Sequence, residues 1–174
     1  MILKNNLGMY AEELINRTRE YHISKGDNVY IEKREIPVKI IKKIDESTAV
    51  VKLTKKSYVD YFGLINNKHI EFEVKQTDEQ SFCISLLKDH QYEHLLKMKD
   101  LCITSFIIVF FSYYNTFILI DIKWLQKYLE DGNKKNIPFE LLKNECIVID
   151  IIFPGIIDIN KGLNQLNLNI RENC

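Results

Sequence analysis

In the segment Ile70-Glu71-Phe72-Glu73-Val74-Lys75, apolar and charged residues alternate strictly. Successive side chains of a strand point to opposite faces. Ile70, Phe72 and Val74 therefore share one face, and Glu71, Glu73 and Lys75 share the other. Burying the apolar face forces two acids and a lysine into one row. Asp60 belongs to the preceding strand, and a hairpin turn near Asn66 brings it beside Glu73. Paired carboxylates are hard oxygen ligands for Mg²⁺, with Mn²⁺ as a substitute, and the Val74 carbonyl adds a third oxygen. A cation there acidifies water and stabilises charge on a phosphate, while Lys75 positions that water or neutralises the transition state. The chemistry indicated is phosphodiester hydrolysis; the plainer alternative is a solvated strand of alternating charge.

Two other spacings compete. Asp121-Ile122-Lys123 repeats the acid-x-Lys triplet at a strand end, but the acid upstream of it, Asp100, falls at a helix end. His90-Gln91-Tyr92-Glu93-His94 matches H-x-x-E-H, whose histidines share one side of a helix as zinc ligands must. No third ligand accompanies them.

The chain has 174 residues, with 24 basic and 24 acidic side chains. Neutrality excludes a uniformly basic binder and an acidic disordered chain. The charge is nevertheless segregated. Residues 33–56 hold eight basic side chains against three acidic ones, a net of +5, balanced by −1 before and −4 after. Ile36, Val38 and Ile40 alternate with Pro37 and Lys39. Beyond a polar turn at Asp45-Glu46-Ser47, Ala49, Val51 and Leu53 alternate in the same way. This pattern predicts an antiparallel hairpin with lysines on its exposed face. Lys39, Lys42, Lys43, Lys52, Lys55 and Lys56 would contact phosphates without reading sequence.

The elements that must position these residues read as α, then β, then mixed. Helical spacing covers residues 8–24, 89–100, 122–130 and 138–144. Strands are expected at 58–65, 69–76, 103–111, 117–122 and 146–153, and a short helix closes the chain within 156–168. Cys83, Cys102, Cys146 and Cys174 form no CxxC pair, and a chain of this size needs no disulfides. The most apolar stretch, 101–122, is broken by Ser112–Thr116 and fits two buried strands better than a membrane span. With no signal peptide at the N-terminus, a soluble, cytoplasmic protein without membrane contact is expected.

Asp60, Glu73 and Lys75 form a D-x12-E-x-K arrangement at a hairpin, the layout of PD-(D/E)xK nucleases. The chain as a whole resembles the RecU family of Holliday-junction resolvases. The similar segments, in order, are Gly8-Met9, Glu12-Glu13, Ile15-Asn16, Pro37-Val38-Lys39-Ile40, Asp60-Tyr61 and Gly63. They continue with Phe72-Glu73, Lys75, Ser81-Phe82, Asp89-His90-Gln91 and Glu93-His94, spanning residues 8–168. The resemblance absorbs the H-x-x-E-H segment and removes the protease reading.

The resemblance implies an α/β fold: a restriction-endonuclease-like mixed β-sheet core flanked by helices, with residues 33–57 as a projecting basic stalk. It implies one nuclease domain over 1–174, working as a homodimer that nicks four-way DNA junctions in pairs. By resemblance the metal ligands are Asp60, Glu73 and Gln91, the transition-state lysine is Lys75, and Glu13 is a supporting acid. A branch-migration helicase and a recombinase are implied partners, although no residue here argues for either. The sequence departs from the family pattern in four places. Tyr58 stands where the metal-site Thr is usual, Phe62 replaces an Asn, Glu71 an Asp and Leu7 an Arg. The extended polar N-terminal arm of many relatives is also not expected, since seven residues precede Gly8. A bulky phenol at Tyr58 makes a junction-binding protein with weakened or lost cleavage the alternative reading.

Overall fold

The computed structural model describes residues 7–35, 37–54, 58–132 and 134–171, with side chains placed between residues 10 and 166. Helix α1 (Leu7–Lys25) leads into β1 (Val29–Lys33), the hairpin β2 (Val38–Lys43) and β3 (Ala49–Leu53), then β4 (Tyr61–Ile65) and β5 (Lys68–Thr77). Next come β6 (Ser81–Cys83), α2 (Asp89–Asp100), β7 (Thr104–Phe111), β8 (Thr116–Asp121) and α3 (Ile122–Glu130). The chain ends with β9 (Asn136–Pro138), α4 (Phe139–Glu145), β10 (Ile147–Ile149), β11 (Ile151–Ile152), β12 (Ile156–Ile157) and α5 (Ile159–Arg171).

Six strands form the main sheet in the order β1-β4-β5-β7-β8-β10, with β5 and β7 parallel and every other pair antiparallel. The parallel step needs a crossover, and α2 supplies it. Helices cover both faces. On one, Ala11, Leu14 and Ile15 of α1 and Leu163 and Leu166 of α5 pack on Ile70, Phe72, Val74, Phe106 and Ile108. On the other, Leu95 of α2, Leu125 of α3 and Leu142 of α4 pack on Ile107, Val109, Phe111, Ile118 and Ile120. A strand buried on both faces reads as a continuous apolar run, which is why 104–111 looked membrane-like in sequence. Among the described residues no helix is long and apolar enough to cross a membrane.

Cross-strand aromatics fix the register at the centre. Tyr61 faces Phe72 and Phe72 faces Phe106 in the ladder, with rings stacked at 5.1 and 5.0 Å. All three are fully buried. The β4–β5 turn is set by Asn66 and Asn67, both at positive φ (50° and 63°), the two-residue geometry that matches strand twist. Gly63 permits β1 to approach β4, since a Cβ there would lie 2.1 Å from the Tyr30 carbonyl oxygen.

Four expectations need correction. The strand expected at 58–65 begins at Tyr61, so Asp60 lies just before it and not on it. The sequence reading omitted β1, although Val29 and Ile31 alternate and are buried. The single strand expected at 146–153 is two strands in different sheets: β10 joins the main sheet, and β11 pairs with β12. The break falls at Asp150, whose carboxylate meets Lys161 at 2.8 Å in solvent. The hairpin was expected to have one exposed face, but both of its faces are open. It forms its own two-stranded sheet, with Val38, Ile40, Ile41, Val50, Val51 and Leu53 all exposed. Cys83, Cys102 and Cys146 are free, and Cys174 lies outside the described residues.

Candidate active site

β4 ends where Tyr61 pairs with Phe72, whereas β5 runs on to Thr77 with only β7 beside it. The sheet forks there. In an antiparallel pair, the residue before Tyr61 and the residue after Phe72 are neighbours, so the buried ring pair delivers Asp60 to Glu73. The Asp60 N–H donates to Glu73 Oε2 at 3.1 Å. The Arg34 N–H donates to the Asp60 carbonyl at 2.7 Å, which ties the segment to the end of β1.

Glu73 faces away from Phe72 and is 1% exposed. Its Oε1 receives Lys75 Nζ at 2.7 Å and Gln91 Nε2 at 2.6 Å. Gln91 sits in the first turn of α2, where its Oε1 accepts the Lys88 N–H at 3.1 Å and Lys75 Nζ at 3.2 Å. Gln91 thus caps its own helix and clamps the strand carboxylate. Loss of hydration pushes the Glu73 carboxyl up to about 7; Lys75 pulls it back and the charge of Asp60 adds to the rise.

Glu71, on the same strand face, is engaged separately. Arg34 Nη2 lies 3.1 Å from Oε1, and His94 Nε2 bonds Oε2. His94 of the H-x-x-E-H segment therefore bonds a carboxylate through Nε2. Glu93 is exposed. Tyr58 stacks on His94 with ring centroids 4.8 Å apart. The Val74 side chain enters the core, and its backbone lies on the stretch of β5 beyond β4. Glu13 pairs with Arg17 at 2.6 Å on the exposed side of α1, whose buried residues meet the opposite sheet face from Glu73. Asp121 caps α3 by accepting the Lys123 N–H at 3.0 Å and is separated from β5 by β7.

Lys39, Lys42, Lys43 and Lys52 lie on the exposed hairpin. Lys39 pairs with Lys52, and a register shift between Ile40 and Lys42 sets Lys42 opposite Val50. Alternation from these pairs puts Lys39, Lys42 and Lys52 on one face, with Val38, Ile40, Val51 and Leu53 on the other. Lys55 and Lys56 lie outside the described residues.

Among the described residues no three His, Cys, Asp or Glu side chains gather as a metal site. The donors that do gather are the Asp60 and Glu73 carboxylates; the Gln91 amide turns its nitrogen to Glu73 and its oxygen to Lys88 and Lys75. Hard carboxylate oxygens suit Mg²⁺ or Mn²⁺. A buried carboxylate with raised proton affinity, beside a second acid, is one that a divalent cation would relieve, so the donor set fits. The sequence reading missed the roles of Arg34 and His94. Their link to Glu71 joins three distant segments and leaves no local signal.

The profile of the family described as Recombination protein U matches residues 6–165. The chain is 37% identical over 165 residues to a Holliday junction resolvase RecU of Ureaplasma parvum, covering 95% of each chain. It is 31% identical over 157 residues to a protein of the same name from Mycoplasmopsis pulmonis, covering 90% of this chain and 93% of that one. Among solved structures, the Archaeoglobus fulgidus Holliday junction resolvase Hjc aligns over 74% of this chain and 92% of its own, at 10% identity and a TM-score of 0.46.

Proposed function

The chain belongs to the Recombination protein U (RecU) family, and from that premise we propose that it is a Mg²⁺-dependent endonuclease that resolves Holliday junctions by paired symmetric nicks. The observation that carries the reading is the fork cluster: a buried Glu73 beside Asp60, clamped by Lys75 and Gln91. On this reading the whole chain is one nuclease domain with a restriction-endonuclease-like core, and residues 33–57 form its stalk.

Asp60, Glu73 and the Val74 carbonyl would hold the cation, and the Gln91 amide oxygen would join them on release from Lys88 and Lys75; Tyr58, turned onto His94, is left out of that set. When bound, a divalent cation acidifies water and neutralises phosphate charge. Lys75, held 2.7 Å from Glu73, places an ammonium where charge develops on the phosphate. Gln91 keeps the Glu73 carboxylate oriented. Water attacking phosphorus in line with the 3′-oxygen leaves a 5′-phosphate and a 3′-hydroxyl, so the nicked ends are ligatable. A homodimer carries two such forks, one for each of two opposed strands.

The hairpin supplies affinity. Lys39 and Lys52 are cross-strand neighbours of like charge, an arrangement that costs stability in the free protein. Phosphates relieve it. Because these lysines meet the backbone rather than base edges, the preference is for shape, with steep salt dependence.

The test is incubation of purified protein with end-labelled four-way junctions, in Mg²⁺ and in EDTA. Paired nicks at opposed positions in Mg²⁺, and binding without nicks in EDTA, are expected. Binding without nicks at every Mg²⁺ or Mn²⁺ concentration would instead identify a junction-binding protein that has lost cleavage. Asp60→Ala, Glu73→Ala and Lys75→Ala should each stop cutting and leave binding within about twofold, since affinity comes chiefly from phosphate contacts elsewhere.

A further inference from the structure

Beside the fork runs a connected row of side chains that the cutting chemistry does not use. The Tyr58 ring lies on His94 at 4.8 Å with 22° between planes. His94 bonds one oxygen of Glu71, and Arg34 bonds the other. The Arg34 guanidinium then lies 5.0 Å from the Phe62 ring centroid. Each member braces the next, and the middle of the row is sunk: the side chains of His94 and Glu71 are 12% and 15% exposed. The two ends are open. Tyr58 is 51% exposed and Phe62 37%. Two aromatic rings are thus held rigid at the surface, with an imidazole behind one and a guanidinium over the other.

We propose that this row is a nucleotide platform, and that Tyr58 stacks on an unpaired or unstacked base next to the bond to be cut. The inference rests on the reading of the fork as a DNA-cutting site. Tyr58 is two residues before Asp60, and Glu71 is two residues before Glu73 on the same strand face, so a strand entering the fork passes the row. A flat π surface held beside a guanidinium matches a base attached to a phosphate backbone. Bases inside a duplex are already stacked on one another. A branch point, a distorted site or a single strand offers a free base face, so the platform favours branched DNA over intact duplex. Its rigidity lowers the ordering cost of binding.

The test uses four-way junctions carrying 2-aminopurine at single positions flanking the crossover, with protein in EDTA so that binding is read without cutting. Wild-type protein should quench 2-aminopurine at one position on each cut strand. Tyr58→Phe and Tyr58→Trp should keep the quenching and the affinity. Tyr58→Leu should abolish the quenching and weaken junction binding about 10-fold, within the ~5- to 150-fold that one base–aromatic stack is worth. Its melting temperature should fall by only about 1–6 °C, the worth of one ring contact on a half-exposed side chain. Phe62→Leu, as a second variant, should halve the preference for junction over duplex or reduce it further.

Unchanged affinity and no quenching difference between wild type and Tyr58→Leu, with junction binding intact, would overturn the platform and leave the resolvase reading standing. Wild-type protein with no junction preference that still quenches 2-aminopurine in a single-stranded oligonucleotide would do the reverse. Absence of quenching on junction and single strand alike rejects the platform outright.

Discussion

Glu73→Gln tests the electrostatic heart of the candidate site. The substitution keeps side-chain volume and removes the charge at every pH, at the fixed cost of turning an NH2 toward one of the donors that Glu73 accepts. Burial pushes the Glu73 carboxyl up to about 7, against an ordinary value of 4.5. That gap corresponds to on the order of 3 kcal/mol. Since the folded value lies above the unfolded one, folding favours the protonated form. Below about pH 4.5 the group is protonated in both states and costs nothing. Between 4.5 and 7 the unfolded chain releases the proton first, and stability falls as pH rises. Above 7 the cost is constant. Urea unfolding in EDTA should therefore find the stability of Glu73→Gln relative to wild type rising by roughly 3 kcal/mol between pH 4.5 and pH 8. For a chain of this length that is about 6–12 °C in melting temperature. The same variant should not cut junctions. Equal stability of the two proteins at both pH values would refute the reasoning, because the carboxylate would then have no unrelieved charge for a cation to relieve.

Replacing Lys39, Lys42, Lys43 and Lys52 by Ala should weaken junction binding and lower the log–log salt slope by ~1 for each phosphate no longer neutralised. Filter binding from 50 to 200 mM salt reads this; an unaltered slope would show that the lysines only solvate the hairpin. Gly63→Ala sets a Cβ 2.1 Å from the Tyr30 oxygen. Because the clash is with backbone, the loss should be at least ~4 kcal/mol in a denaturant titration, and a loss under 1 kcal/mol would mean β1 can move away freely. Phe72→Ala removes the middle ring of the Tyr61–Phe72–Phe106 stack. It should cost ~3–5 kcal/mol and slow cutting as well, since the Tyr61–Phe72 pair sets Asp60 against Glu73; a destabilised variant with parental single-turnover cutting would separate the two roles.

What was legible in sequence followed from local periodicity and turn chemistry. Alternation along 70–75 put Glu71, Glu73 and Lys75 on one face, and Asn66-Asn67 marked the turn that brings Asp60 back. Helix α2 was read with its observed bounds because its apolar spacing and its ends are local features. What escaped depends on long-range packing. Glu73 read as one of a projecting row, yet α2 and its neighbours cover that face and leave the carboxylate 1% exposed. Glu71 read as an equal member of the row, yet Arg34 and His94 take both of its oxygens. The hairpin's alternation promised a buried side, but alternation states only which residues share a face, not whether anything lies against it.

The arrangement separates tasks along one strand. On one face of β5, Ile70, Phe72 and Val74 lock the sheet to α1 and α5. On the other, Glu73 and Lys75 meet Gln91 under α2. The core face fixes the register, and the register places Asp60, so the chemistry inherits its precision from hydrophobic packing rather than from polar contacts. The polar face bears the opposite burden, because a desolvated carboxylate near a second acid weakens the free protein. A cation that bound there and neutralised the pair would return that stability. The described lysines of the hairpin lie on a separate sheet. Among the described residues Lys75 is the ammonium paired with Glu73, and one positive charge holds the carboxylate in place without cancelling two acids.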